Sequence, residues 1–272
     1  MKSSGIYSQA WFVSVSIGSV SIGSGMEAGA ATLYAMSNPE SAAREEGISN
    51  SLPALETVEL DTGPDPSFAL IWLHGLGADG HDFEPVVPHL LWRGAPSIRF
   101  VFPHAPMRAV TLNAGMRMRA WYDIRSVGLD RNQDVAGIEQ SCGQVAALVE
   151  REQRRGIAPH RVALAGFSQG GAIALQLGLR YPHRIAGLIA LSTYLLDTSR
   201  SPADRHAVNQ GLPIFMAHGR LDPLVPFHLG EAAAQLLQGW GYRVDWHTYP
   251  MAHAVCPDEI GHIAGWLRQR LE

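Results

Sequence analysis

From residue 67 onward, short apolar runs alternate with longer stretches in which apolar residues recur every three or four positions. This is the rhythm of strands joined by helices. The runs at 68–74, 98–103, 162–167, 187–191, 213–218 and 243–248 predict strands. Most carry no polar alternation: Ala69-Leu70-Ile71-Trp72-Leu73 and Val162-Ala163-Leu164-Ala165 are apolar at every position. Strands covered on both faces read this way, so the sheet is expected to be mostly parallel. Val135, Ile138, Cys142, Val145, Ala146 and Val149 share one helical face, and 133–156, 171–177, 229–237 and 258–271 read as helices. The cluster Asp61-Thr62-Gly63-Pro64-Asp65-Pro66 predicts a turn between an early strand or hairpin and the first core strand. The expected fold is α/β: a single domain at 51–272, built on one mostly parallel open sheet with helices on both faces.

Residues 1–50 fall outside this pattern and are expected to be a disordered or non-native extension, with Met26 and Met36 as alternative starts. The first 35 residues are rich in Ser, Gly and Ala. A secretory signal needs an unbroken apolar segment of roughly 7–15 residues. Here the stretch from Ala10 to Val20 is interrupted by Ser14, Ser16, Gly18 and Ser19, so export is the weaker reading. No segment reaches the ~18 apolar residues of a membrane span. A soluble, cytoplasmic protein is expected.

Composition narrows the chemistry. The chain has 272 residues, 46% hydrophobic and 17% charged, with a net charge of −4. Among its cations Lys2 is the one lysine, which excludes a Gly-Lys-Ser/Thr phosphate loop, a lysine Schiff base and a Ser-Lys dyad from the predicted domain. The two cysteines, Cys142 and Cys256, are far apart in sequence and form neither a Cys-x-x-Cys pair nor a cysteine-based zinc site. The arginines are scattered without a basic run, which argues against nucleic acid as a partner.

One motif stands above the rest. Gly166-Phe167-Ser168-Gln169-Gly170 directly follows a predicted strand and precedes a predicted helix. A Gly-x-Ser-x-Gly in that context sets its serine on a sharp turn at the sheet's carboxyl edge, with glycines where side chains would not fit. Ser168 is the candidate nucleophile; a helix-capping serine is the structural alternative. A serine hydroxyl needs a base oriented by a carboxylate. Among the histidines beyond Ser168, His253 alone follows a predicted strand and turn and precedes the last helix, which makes it the candidate base. His218 ends a predicted strand and His247 lies within one, so both read as structural. Asp222, in the loop after 213–218, is the candidate acid, with Asp197 and Asp245 in reserve. An ester's oxyanion needs backbone N–H donors. The candidates are Gln169, after the nucleophile, and Leu76, in the glycine-rich stretch His74-Gly75-Leu76-Gly77-Ala78-Asp79-Gly80. That stretch lacks the Gly-x-Gly-x-x-Gly spacing of a dinucleotide turn.

Together these residues carry a family resemblance. His74-Gly75-Leu76-Gly77, Pro103-His104-Ala105-Pro106, Val110-Thr111-Leu112-Asn113, Trp121-Tyr122-Asp123-Ile124, Gly166 to Gly171, His218-Gly219, Asp222 to Pro226 and His253 occur in the order seen in the acyl-protein thioesterase / carboxylesterase (phospholipase-carboxylesterase) family of α/β-hydrolases. The likeness runs from about Ala69 to Leu271, and the chain resembles in particular the small bacterial carboxylesterases. It implies a hydrolase of carboxylic esters or thioesters, without cofactor or metal, acting on small molecules or acylated proteins as a monomer or homodimer. By position it gives Ser168, Asp222 and His253 as the triad, and Leu76 and Gln169 as oxyanion donors. It also implies that 106–121 is a loop covering an acyl pocket, with Met107, Leu112, Met116, Met118 and Trp121 lining it. Arg117, Arg119 and Ala120 depart from the family pattern just before the tryptophan. The competing class is a non-catalytic relative that binds an acyl ligand or protein partner. A dienelactone-type hydrolase would place cysteine where Ser168 stands.

Overall fold

Each predicted run forms a strand, and the sheet order explains why the central ones lack polar positions while the edge strand at 243–249 keeps Arg243, Asp245 and His247. The computed structural model describes residues 52–125, 133–196 and 205–271. The extension expected at 1–50 and the reserve acid Asp197 lie outside the described residues. The strands are β1 (Thr57–Asp61), β2 (Phe68–Leu73), β3 (Ile98–Pro103), β4 (Met107–Val110), β5 (Met116–Arg119), β6 (Val162–Phe167), β7 (Gly187–Leu191), β8 (Pro213–Gly219) and β9 (Arg243–Tyr249). Seven of them form one sheet in the order β1-β3-β2-β6-β7-β8-β9. The early strand β1 runs antiparallel to β3, and every other pairing in this sheet is parallel. β4 and β5 pair only with each other, as an antiparallel hairpin where a covering loop is expected from the sequence.

Helices α1 (Val87–Leu90), α2 (Val135–Arg154), α3 (Gln169–Arg180), α4 (Phe227–Gly239) and α5 (Pro257–Leu271) cover the two faces. Alternate strand residues enter opposite cores. Ile71, Leu73, Leu164 and Met216 pack with α2, α3 and α4, while Leu70, Trp72, Ala163, Ala165 and Phe215 pack with α1 and α5. Both sets are buried, which is why neither face of the strands tolerates polar residues. Each large side chain so buried stabilises the fold by about 1.5–3 kcal/mol before entropy is counted. Asp134 caps α2, its carboxylate accepting the Gly137 N–H at 3.2 Å.

The arginine bias shows its use at the β1 edge. Arg99 grips Asp61 through Nε and Nη2, both at 2.8 Å, and reaches Glu152 at 3.3 Å. Arg151 and Arg155 bridge Glu59 and the same fully buried Glu152. A forked, planar cation can hold two carboxylates at once, which an ammonium does less well. No helix among the described residues is long and apolar enough to cross a membrane.

Candidate active site

The sheet order sets where chemistry can gather. After β2 the chain builds outward to β3, and from β6 it builds the other way through β7, β8 and β9. The crevice at the carboxyl ends of β2 and β6 is therefore the switch point, where ligands of open α/β sheets bind. His74 to Gly77 follow β2, Ser168 follows β6, Asp222 follows β8 and His253 follows β9, all at the same sheet edge.

Ser168 connects β6 to α3 with φ 53° and ψ −120°. A non-glycine residue at positive φ costs on the order of 1–3 kcal/mol and persists only where its surroundings hold it. They do: its N–H donates to Leu191 O at 2.8 Å, and its carbonyl accepts from Thr193 Oγ1 at 2.7 Å and Ala172 N–H at 3.1 Å. The flanking glycines are a steric requirement. A Cβ on Gly166 would lie 2.4 Å from the Gly170 backbone, and one on Gly170 would lie 2.5 Å from the carbonyl oxygens of Leu73 and His74. The half-buried Ser168 side chain makes no capping bond to α3, unlike the structural alternative for this serine.

His253 and Asp222 are joined. His253 Nδ1–H donates to Asp222 Oδ2 at 2.6 Å, which leaves Nε2 as its open nitrogen. The His253 ring lies 4.6 Å from the Phe167 ring, so it packs beside the residue that precedes Ser168. Asp222 Oδ1 accepts the N–H groups of Leu224 and Val225, both at 2.9 Å. Burial pushes the Asp222 carboxyl up, but the bonds from His218, His253 and the Val225 N–H outweigh it and hold its pKa below the usual carboxylate range. The reserve acid Asp245 is instead half-exposed and paired with His247 at 2.9 Å. His218, expected to be structural, stands 3.4 Å from Asp222 Oδ2. The signal was its spacing, four residues before the acid and next to Gly219.

The loop after β2 is rigidly made. His74 Nε2 accepts the Ala105 N–H at 3.0 Å, so the proton sits on Nδ1 and is donated to Gly75 O at 2.7 Å. Burial pushes His74 down to about 4, which keeps it neutral here. Gly77 N–H is taken by Arg119 O at 2.9 Å and Ala78 N–H by Gly75 O at 3.3 Å. Among the described residues no carbonyl takes the Leu76 N–H. A Cβ on Gly75 would stand 3.6 Å from Ser168 Cβ, which sets this loop against the serine. Trp121 ties the two candidate donors together: its Nε1–H donates to His74 O at 2.9 Å, and its backbone N–H to Gln169 Oε1 at 2.8 Å. Gln169 Nε2 in turn donates to Tyr122 O at 2.7 Å.

The residues expected to line an acyl pocket are divided. Met107 and Met116 are 50% and 52% exposed on the β4–β5 hairpin, and Leu112 at its tip is also exposed. Half-buried Met118 receives a bond from Asn113 Nδ2 to its sulfur at 3.4 Å. Trp121 differs from the expectation: it is fully buried in the core and supports the site from beneath, because its indole bridges His74 and its main chain bridges Gln169. Burial pushes the Cys142 thiol up to about 12, so it is not a nucleophile. Among the described residues no group of three or more His, Cys, Asp or Glu is placed to hold a metal ion.

Comparison with known proteins extends this geometry. A family model described as Phospholipase/Carboxylesterase matches residues 53–271. Acyl-protein thioesterase 1 of Gibberella zeae is 39% identical over 214 residues, covering 74% of this chain and 90% of that protein. The protein of the same name from Neurospora crassa is 40% identical over 213 residues, 74% of this chain and 86% of its own. The crystal structure of Arabidopsis thaliana SOBER1 superimposes with a TM-score of 0.69 at 29% identity, over 75% of this chain and 99% of that one. Acyl-protein thioesterase 2 of Zea mays shares the fold, with a TM-score of 0.71 at 24% identity, over 80% of this chain and 100% of that one.

Proposed function

The chain belongs to the phospholipase/carboxylesterase family of α/β-hydrolases, enzymes that cleave carboxylic esters or thioesters, and from that premise we propose that it does so through an acyl-enzyme on Ser168. The observation that carries the reading is the strained Ser168 at the end of β6 together with a His253–Asp222 pair bonded at 2.6 Å, whose imidazole lies 4.6 Å from the ring of Phe167, the residue before Ser168. His253 Nε2 takes the Ser168 proton as the oxygen attacks the acyl carbon, and returns it to the departing alcohol or thiol. Asp222 keeps the proton on Nδ1 and stabilises the imidazolium that forms. The N–H groups of Leu76 and Gln169 receive the oxyanion, each lowering the barrier by on the order of 3 kcal/mol. Water then attacks the acyl-enzyme with His253 as base. Thioesters are favoured as substrates by the names of the fungal relatives, with acylated proteins among them, and a reducing compartment, the cytoplasm, suits the two free cysteines. The β4–β5 hairpin, with Met107, Leu112, Met116 and Met118, receives the acyl chain, whose flexibility matches methionine's. Residues 51–272 form the working domain.

The test is labelling by a fluorophosphonate probe together with turnover of p-nitrophenyl esters. A single adduct at Ser168 and loss of turnover in folded Ser168→Ala are expected. An unlabelled Ser168, or a variant that keeps most of its activity, defeats the reading in favour of a binding protein.

A further inference from the structure

His218 stands outside the Ser168, His253 and Asp222 roles argued above, yet it shares the carboxylate oxygen they depend on. It is the penultimate residue of β8 and fully buried, enclosed by the rings of Phe227 at 5.9 Å and Trp246 at 6.4 Å. Gly230 of α4 lies flush against it, and a Cβ there would fall 2.2 Å from His218 Nδ1. The tautomer follows from its partners. Nε2 is 2.9 Å from Val225 O, and a carbonyl only accepts, so Nε2 carries a proton. Nδ1 is buried with no partner among the described residues, and a proton there would be a stranded donor, so the ring is the neutral Nε2–H form. That same Nε2–H lies 3.4 Å from Asp222 Oδ2, the oxygen to which His253 donates at 2.6 Å.

We propose that His218 is a positioning residue for the hydrolytic site, a fourth member that fixes the Asp222 carboxylate so that Oδ2 meets His253 Nδ1. One N–H performs two tasks. Toward Val225 O it closes the loop 222–225, whose own N–H groups hold Oδ1. Toward Oδ2 it limits the swing of the oxygen that His253 uses. A residue that only filled this space would need no donor at Nε2, and the surrounding rings would accept a phenylalanine. The inference rests on the triad reading and adds to it a residue that touches neither substrate nor the reacting atoms.

The experiment compares His218→Phe, which keeps the ring and loses the donor, with His218→Gln, whose amide nitrogen reaches about where Nε2 stands. Turnover is read beside the low-field proton resonance of the His253–Asp222 hydrogen bond. His218→Phe is expected to lower kcat on the order of tenfold with KM within about twofold, because only the acid's placement changes. It should also shift or broaden the low-field proton, and His218→Gln should restore both. Full kcat with an unmoved proton in His218→Phe overturns the proposal, as does a folded His218→Gln slower than His218→Phe. Nitrogen NMR of the wild-type enzyme decides even if His218→Phe does not fold: Nε2–H on His218 at pH 7 supports the positioning role, and Nδ1–H refutes it. Asp222→Asn, measured in parallel, separates the two readings. Its full activity would sink the triad itself, whereas its loss beside an intact His218→Phe would sink only the fourth member.

Discussion

Asp222 and Glu259 are buried carboxylic acids that both abut the segment 251–256 carrying His253, and they are held in opposite charge states. Asp222 is 8% exposed and Glu259 not at all, so burial raises the pKa of both. Asp222 faces the N–H groups of Leu224 and Val225 on one oxygen and two imidazoles on the other. Those donors win, and it stays an anion well below the ordinary range. Neither oxygen of Glu259 has a partner among the described residues. Burial pushes it up to about 8, and the Cys256 backbone N–H, near the carboxyl but outside hydrogen-bond geometry, opposes this without overcoming it. Donor supply, more than depth, decides which acid is charged. The charged one serves the proposed chemistry, and the neutral one seats the first turn of α5 behind it.

Asp222→Asn breaks the comparison hardest. An amide has one acceptor oxygen where the site offers four donors, and it brings an NH2 group against them. By the logic of triads, kcat should fall on the order of 10^4-fold with the fold retained, checked by steady-state turnover and circular dichroism; a loss of less than about tenfold would show that the carboxylate charge is not what the site uses. Glu259→Gln comes next. A carboxyl whose folded pKa is raised contributes stability that is present below its ordinary value of 4.5 and lost as pH climbs toward 8. Wild type should therefore lose a few kcal/mol over that window relative to Glu259→Gln, at about 1.4 kcal/mol per pH unit. Urea unfolding of both proteins at pH 5 and pH 8 measures it. Parallel pH dependences would mean Glu259 is ionised in the folded state. Asp82, pushed up to about 6 by burial and by Asp79, bends both curves in the same sense and cancels in the difference.

The charged frame of the site was legible along the chain because it obeys strand and turn chemistry. Apolar runs without alternation announced a doubly covered sheet, and Gly166 and Gly170 announced a turn with no room for a Cβ. From those two features the edge carrying Ser168, Asp222 and His253 could be placed. The hairpin was not: Met116-Arg117-Met118-Arg119 alternates with period two, but each strand is four residues long and pairs only with the other, so neither stands out as a core run. Trp121 was placed in a pocket wall by the family resemblance, which makes 106–121 a loop over the acyl site. Its burial follows from bonds to His74 and Gln169, residues 47 and 48 positions away, which no local pattern records. His218 is a different case: its spacing of four residues from Asp222 is a local signal, but the partner oxygen it meets is set by how the loop after β8 folds back, with Leu221 N–H on Met251 O.

The smallest expected effect carries the comparison over to neutral groups. Trp121→Phe keeps an aromatic ring in the core but deletes the Nε1–H that satisfies the carbonyl of His74. That carbonyl is buried, so the change leaves an acceptor unpaired, at a cost of about 1–3 kcal/mol, and the smaller ring adds a cavity cost of the same order. The backbone bond from residue 121 to Gln169 survives, so the turn at Ser168 keeps its support while the Leu76 loop loses one anchor. Thermal unfolding should register the stability loss. Turnover should drop by a few fold, on the order of the cost of loosening one oxyanion donor without removing it. Unchanged stability would mean that a buried neutral acceptor here does without its donor, and that the contrast between Asp222 and Glu259 is confined to charge.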